Sequence, residues 1–507
     1  MSLGAALAAA TPVAAHAAGT RPVTVPALRE WRGAAGTFTP RRDVRIVITR
    51  KTLRGEARLL AADLGRVLGR RVRTTARRGA RVRRGDLRLR LGSSDPQLGT
   101  EGYTLSIGRT LTITARASAG VFYGGRTVLQ LARAPGGIPR GRARDRPRYP
   151  ERGLMVDNGR KFFTPAWLEE RVRELAALKL NLLHLHFSDD QGFRLQSDTH
   201  PEIVTPPALS KDDVRRLVAL GQRYHVTIVP ELDAPGHLTA ALAKHPELQL
   251  TDATGRKAPD KLDVTLPAAR RFLGELIDEF APLFGGRWWH TGADEYLGAA
   301  SSDEEYALYP QLQAYARARY GERANGKDAV LDFVNWVAER VRAHGQTLRV
   351  WSDGIAGGSA VALRRGVAVE WWENKSSPTP QELIAGGHPV LNAGWWPLYY
   401  VTGGPLAGFR STEQDFYEQW TPNHFEGPYT GRWFGGPPQF TEVAPSEPGQ
   451  LGAALSVWND DPNAMTEQQI AAGIAPRLAI LAQKTWGSVA LHPDYAGFTR
   501  DVQASGP

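Results

Sequence analysis

The chain has 507 residues, 42% hydrophobic and 23% charged, which is too long for one small core and ordinary for a globular protein, so two domains are expected. It contains no Cys, which excludes disulfides, thiolate metal sites and a cysteine nucleophile. The formal charge is +11, and the excess is local: Arg70 to Arg90 holds ten Arg, among them Arg77, Arg78, Arg83 and Arg84. No aromatic residue interleaves that run, so it reads as a solvated basic surface, and no nucleic-acid partner is expected.

Ser2 to Ala18 is small and apolar, with Ala-His-Ala ahead of Ala18, the pattern of a secretory leader that lacks its charged start. Residues 1–19 are set aside as that leader's remnant, and a secreted protein is expected. No other apolar run reaches 18 residues, so no membrane span is expected. From 20 to 147 the pattern is α+β. Val44–Thr49, Leu87–Leu91, Tyr103–Ile107 and Leu111–Ala115 alternate as strands, and Gly108-Arg109 marks a hairpin. Gly55–Leu68 and Ala119–Ala132 carry helical periodicity. The Pro-, Gly- and Arg-rich stretch Ala134–Pro147 reads as a linker.

From 148 to 507 strands and helices alternate. Strands are predicted at Gly153–Asp157, Leu182–Phe187, Thr227–Leu232, Trp288–His290, Leu348–Ser352, Val367–Trp372, Val390–Ala393 and Ala454–Trp458. Helical patterns at Pro165–Lys179, Lys211–Tyr224, Pro267–Phe284, Ala329–His344 and Glu467–Trp486 fall between or after them. The predicted class is therefore α/β, a (β/α)8 TIM barrel with a small N-terminal α+β accessory domain. A doubly wound sheet is the alternative, but no Gly-rich phosphate loop follows the first strand.

A barrel places its chemistry where strands end and βα loops begin. Those positions carry Asp157; His186, Asp189 and Asp190; Glu231, Asp233 and His237; His290, Asp294 and Glu295; Trp351 and Asp353; Glu370, Trp371 and Trp372; Trp395, Trp396, Tyr399 and Tyr400; and Trp458 and Asp460. An acidic cup walled by Trp suits an uncharged polyhydroxylated ligand. Asp294 and Glu295 are adjacent acids behind Trp288-Trp289-His290, and mutual repulsion in a dry site keeps one of them protonated. Most retaining glycosidases set an acid and a carboxylate nucleophile on opposite sides of the sugar, a gap that neighbours cannot span. If the substrate carries a 2-acetamido group, its own carbonyl can attack. Because successive strand residues alternate in direction, the strand must end or bulge before Asp294 and Glu295 can both face one sugar, and at least one of Trp371 and Trp372 must be packing.

At these positions the sequence resembles the family-20 glycoside hydrolases, the β-N-acetylhexosaminidases and their relatives, including lacto-N-biosidases. The resemblance rests on Arg152-Gly-Leu-Met-Val-Asp157, His186-Phe-Ser-Asp-Asp-Gln-Gly192, Pro230-Glu-Leu-Asp-Ala-Pro-Gly-His237 and His290-Thr-Gly-Ala-Asp-Glu295, with Gly120-Val-Phe-Tyr-Gly124 in the accessory domain. It implies Glu295 as general acid and base, Asp294 as partner of the acetamido nitrogen, and Asp189 with His237 as support for Glu295, His186 lying close by. It implies Arg152 on the sugar hydroxyls, and Trp351, Trp371 or Trp372, and Trp458 as an enclosing box. Tyr399 is favoured over Tyr400 as donor to the acetamido oxygen, and Asp460 is assigned to the outer hydroxyls. No cofactor and no metal are implied. The implied partner is an oligosaccharide or glycoconjugate ending in β-N-acetylhexosamine.

The sequence departs from the family pattern at Ala293 for a Gly, Phe193 for a Trp, and Asp460 for a Glu. The Pro-, Gly- and Trp-rich stretch Pro397–Gly449 suggests an altered entrance, and with it a lacto-N-biosidase alternative that releases a disaccharide. A metal-dependent hydrolase remains open through His184-Leu-His186 with His237, His290 and Asp353, as does a non-catalytic carbohydrate-binding barrel.

Overall fold

The computed structural model describes residues 21–76, 81–134, 136–297, 303–428, 439–445 and 447–506. The leader pattern, and Arg77 and Arg78 of the basic run, lie outside the described residues. The chain divides into two compact units, Met1–Pro147 with Gly487–Pro507, and Arg148–Trp486.

In the first unit a seven-stranded sheet runs in the order Glu30–Phe38, Ile138–Asp145, Tyr103–Ile107, Leu111–Ala115, Leu87–Leu91, Arg45–Ile48, Arg73–Thr75. Helices Arg54–Val67 and Ser118–Arg133 pack against it and each other. The second helix comes in close at Gly124, where a Cβ would lie 2.5 Å from Ile113 and 3.1 Å from the Tyr103 ring.

Two expectations need correction here. The stretch read as a linker contains the strand Ile138–Asp145, paired on both sides. Its Gly and Pro hide a period of two: Pro139, Gly141, Ala143 and Asp145 are buried, while Arg140, Arg142 and Arg144 alternate outward. The boundary of the second unit also moves. Helix Tyr495–Ser505, capped by Asp494, belongs to the first unit, where Arg133 donates to the Gly506 carbonyl at 2.6 Å.

The second unit is a closed barrel of eight parallel strands: Glu151–Asp157, Leu182–His186, Thr227–Glu231, Trp288–His290, Thr347–Trp351, Ala368–Trp371, Val390–Asn392 and Gln450–Trp458, the last pairing with both the seventh and the first. A short strand, Tyr399–Val401, adds to the eighth at its C-terminal end. The strands are buried on both faces because helices cover the outside and side chains fill the inside. Helix Lys211–Tyr224 begins with a Ser210–Asp213 capping box, and Gly326–Ala343 with an Asn325–Asp328 box. Among the described residues no helix is long and apolar enough to cross a membrane.

The first unit's core is fastened by a buried polar contact. Tyr103 donates to Asp145 Oδ2 at 2.5 Å, and burial with the Asp145 charge pushes the phenol well above its ordinary pKa. Tyr103→Phe leaves that carboxylate short of a donor and is expected to cost about 1–3 kcal/mol in chemical denaturation.

Candidate active site

The fourth strand stops at His290, and the backbone turns into the left-handed region at Gly292 (φ 64°), Ala293 (φ 73°) and Glu295 (φ 46°). Gly292 is required twice over, by its φ and because a Cβ there would lie 1.7 Å from Asp233 Oδ1. Ala293 holds a conformation that usually selects glycine, a strain that the packed loop must offset. The turn brings Asp294 and Glu295 onto one cavity of about 270 Å³, lined also by Arg160, His237, Trp372, Trp395, Tyr399, Val401, Leu406, Trp458 and Asp460.

His237 stands between two pairs of acids. Its Nε2 lies 3.5 Å from Glu295 and 3.7 Å from Asp294; its Nδ1 lies 3.5 Å from Asp189 and 3.8 Å from Asp190. Burial opposes its charge, but the facing carboxylates of Asp189, Asp190 and Glu295 prevail and raise its pKa well above the ordinary value. Asp189 is buried yet held well below the usual carboxylate range by Arg160, His186 and His237. The two central acids are driven apart. Burial raises Asp294 to about 6, with the Glu231 and Glu295 charges adding to it against His237. Glu295 is lowered: burial pushes it up, but His237 and Arg160 outweigh that. Its side chain keeps 38% exposure, against 13% for Asp294. One acid of the pair is thus favoured to hold a proton, as its neighbourhood requires, and before any ligand binds it is Asp294.

Asp353 fixes the pair from the fifth strand's loop, accepting from the Glu295 backbone N–H at 2.8 Å and from Trp372 Nε1 at 3.0 Å. Beneath the cavity Glu231 is a hub. It takes His186 Nδ1 at 2.6 Å, His184 Nε2 at 3.0 Å and Trp351 Nε1 at 2.7 Å, with His290 Nδ1 3.0 Å away. His186 Nε2 in turn meets Asp189 at 2.8 Å. Both nitrogens of His186 face carboxylates, an arrangement that imidazolium satisfies, and its pKa is raised well above normal despite burial. His184 is likewise raised to about 9, burial being outweighed by Glu370 and Glu231. The His-Leu-His pair that suggested a metal-dependent hydrolase is therefore engaged with carboxylates in a sealed layer of the core.

The structure brings together Asp294, Glu295, His237, Tyr399, Trp372, Trp458 and Asp460 as cavity walls. Asp189 and His186 stand just behind, and Trp351 is fully buried under Trp458 with ring centroids 5.8 Å apart. Trp371 is packing, its Nε1 on the Pro378 carbonyl and its ring edge-on to Phe425. Tyr400 faces away, with Arg410 4.8 Å from its ring and its hydroxyl near Met465.

Arg152 is misplaced by the sequence reading. It lies at the start of the first strand, where it donates to the carbonyls of Lys179, Tyr149 and Pro150. Five residues of strand, about 17 Å, separate it from Asp157 at the catalytic end. The arginine that lines the cavity is Arg160. It bridges Asp157 at 3.2 Å and Asp189 at 3.0 Å, and its guanidinium lies 5.0 Å from the Trp458 ring centre. Burial opposes its charge, and Asp189, Asp157 and Asp460 more than compensate. The signal was present in the sequence: Arg160 follows the end of strand one, whereas Arg152 precedes most of it. Trp395, placed at the seventh strand's end by the sequence, completes the wall with Val401 and Leu406, which were not singled out.

This fold and site place the protein among the barrel glycosyl hydrolases. The chain belongs to glycosyl hydrolase family 20: residues 149–489 match the family's catalytic domain and residues 21–146 its domain 2. It is similar to the lacto-N-biosidase of Bifidobacterium bifidum, 30% identical over 92% of this chain and 40% of that protein, so it spans well under half of that relative. It is 28% identical to a Cellulomonas fimi β-N-acetylhexosaminidase over 84% of this chain and 82% of the relative. The solved structure of a Streptomyces plicatus N-acetyl-β-hexosaminidase in complex with Thio-NAglucal shares the fold, with TM-score 0.73, 24% identity, and coverage of 98% and 97% of the two chains.

Because Asp294 in the folded protein lies above its ordinary 3.8, its contribution favours folding below about pH 4 and is lost as pH rises through about 6. Asp294→Asn is therefore expected to be more stable than the native protein at about pH 8, by up to about 3 kcal/mol. Paired thermal melts should show that advantage vanish toward pH 4.

Proposed function

We propose that the protein is a retaining glycoside hydrolase that removes terminal β-linked N-acetylhexosamine, with the substrate's acetamido oxygen as nucleophile. The observation that carries this reading is that two adjacent carboxylates share one Trp- and Tyr-walled cavity, too close together to flank a sugar. Glu295 protonates the departing glycosidic oxygen. The acetamido carbonyl attacks the anomeric carbon and forms an oxazolinium, with Asp294 accepting the amide N–H and Tyr399 donating to the oxygen. Water deprotonated by Glu295 then opens the ring with net retention. Arg160 takes the hydroxyl-binding role, its forked donors suiting a vicinal pair, and Asp460 lies beside it.

The proton must reach Glu295 for this chemistry, although burial favours Asp294. Substrate supplies the transfer. An amide N–H donated to Asp294 stabilises its anion, while a sugar that displaces water from Glu295 raises its affinity for the proton. The pair titrates as a unit, and kcat/KM should fall on the acid side as Asp294 protonates near pH 6. Asp294→Asn should remove that limb and lose most rate on acetamido substrates. An equal loss on 2-hydroxy sugars would refute the role given to Asp294. Glu295→Gln is expected to lower kcat by about 10²–10⁴ while N-acetylglucosamine binding, measured by calorimetry, stays close to native. Native turnover in that variant would remove Glu295 from its role.

Lacto-N-biose release is the second reading, supported by the similarity to the Bifidobacterium bifidum lacto-N-biosidase and by the shorter acid Asp460 at the cavity wall with Leu406 and Trp395. Rates on matched aryl glycosides of GlcNAc, GalNAc and lacto-N-biose decide between them. The leader-like Ser2–Ala18 supports export.

A further inference from the structure

Away from the cavity the barrel unit repeats one short pattern. His200-Pro-Glu-Ile203 follows the second strand, and His245-Pro-Glu-Leu248 follows the third. Each folds into a 3-10 turn, and the two histidines share a backbone conformation: φ −132°, ψ 64° at His200 and φ −131°, ψ 59° at His245. Matched turns thus present two imidazoles toward each other, with ring centroids 5.7 Å apart and edge-on. Both rest on Phe272 of helix Pro267–Phe284, at 4.8 and 5.0 Å.

The inner nitrogens converge on one oxygen. His200 Nδ1 lies 3.1 Å and His245 Nε2 2.8 Å from Glu202 Oε1. The outer nitrogens each meet a different carboxylate, His200 Nε2 with Glu275 at 2.9 Å and His245 Nδ1 with Glu247 at 3.3 Å.

We propose that His200, His245 and Glu202 form a three-ligand zinc-type site, its fourth position open to solvent, that joins the loop after the second strand to the loop after the third. Ligands about 2.0–2.1 Å from a tetrahedral ion stand roughly 3.3–3.4 Å apart. The two histidine–Glu202 separations, 3.1 and 2.8 Å, lie close to that spacing, and all three ligand atoms fall within 4.8 Å of one another. A ligating histidine normally passes its other N–H to a carboxylate, which fixes the tautomer and strengthens the ligand. Here both histidines have that outer partner. Two neutral imidazoles among three carboxylates leave a negative site, and the nitrogen donors select zinc over calcium or magnesium. The two histidine side chains are 13% and 21% exposed, held by packing yet reachable from solvent. The loops it joins also carry Asp189 and His237, so the ion would hold together the stretches that meet at the cavity.

The test uses the untagged full chain, stripped with chelator and titrated with zinc chloride alone. The expected result is a single equivalent bound, a rise in the thermal midpoint, and, for cobalt(II) in place of zinc, visible bands of tetrahedral strength. Glu202→Gln and the double variant His200→Ala/His245→Ala should weaken zinc binding at least about 100-fold. Glu275→Gln, at a surface helix position, should weaken it about 10–100-fold with the fold intact. A native chain that shows no midpoint shift and octahedral cobalt bands overturns the proposal. So does zinc binding of native affinity in folded Glu202→Gln or Glu275→Gln.

Discussion

Successive side chains of a strand point to opposite faces, yet the chemistry needs Asp294 and Glu295 on one cavity. The left-handed turn from Gly292 to Glu295 resolves that conflict, and much of the barrel's C-terminal face is arranged to hold it. Asp233 fills the space a Gly292 side chain would occupy, Asp353 accepts the Glu295 N–H, and Gly354 leaves room for the Ala293 carbonyl, which a Cβ there would meet at 1.5 Å. A conformation that costs energy in isolation persists because its surroundings leave it no alternative.

The same economy governs the buried charges. A carboxylate as sealed as Glu231 is tolerable only when donors replace the water it lost. His186 and Trp351 donate to it, His184 Nε2 lies 3.0 Å away, and Glu370 then neutralises His184 from below. Glu370 is itself held down to about 2, burial being overcome by His184, His290 and Arg349. The layer explains how His237 can be strongly basic a few ångströms from a carboxyl that resists ionisation. Asp189 is kept anionic from behind and favours the imidazolium of His237.

Much of this was legible in the sequence because barrels separate stability from chemistry along each strand. The helices Lys211–Tyr224, Pro267–Phe284 and Glu467–Trp486 and the strand Trp288–His290 stand where their patterns place them. The cavity residues follow from the strand ends. Arg152 shows the limit: a motif match outweighed position, although the rule that found Glu295 also disqualified a residue at the strand's opposite end. The strand Ile138–Asp145 was hidden because Gly and Pro carry no hydrophobic signal, and its alternation is of small against Arg. That Trp372 rather than Trp371, and Tyr399 rather than Tyr400, lines the cavity depends on register within a few residues, which periodicity alone does not supply.

The return of Tyr495–Ser505 to the first unit gives the chain an order of events. On the ribosome the seven-stranded sheet emerges first, but the helix that packs on Ser118–Arg133 is made only after more than three hundred residues of barrel have been synthesised. Arg148 and Trp486, the barrel unit's two ends, lie side by side, with the Arg148 N–H donating to the Trp486 carbonyl at 3.0 Å. The barrel is therefore an insertion in the chain of the first unit, and a ribosome that stalls inside it leaves the earlier unit unfinished as well.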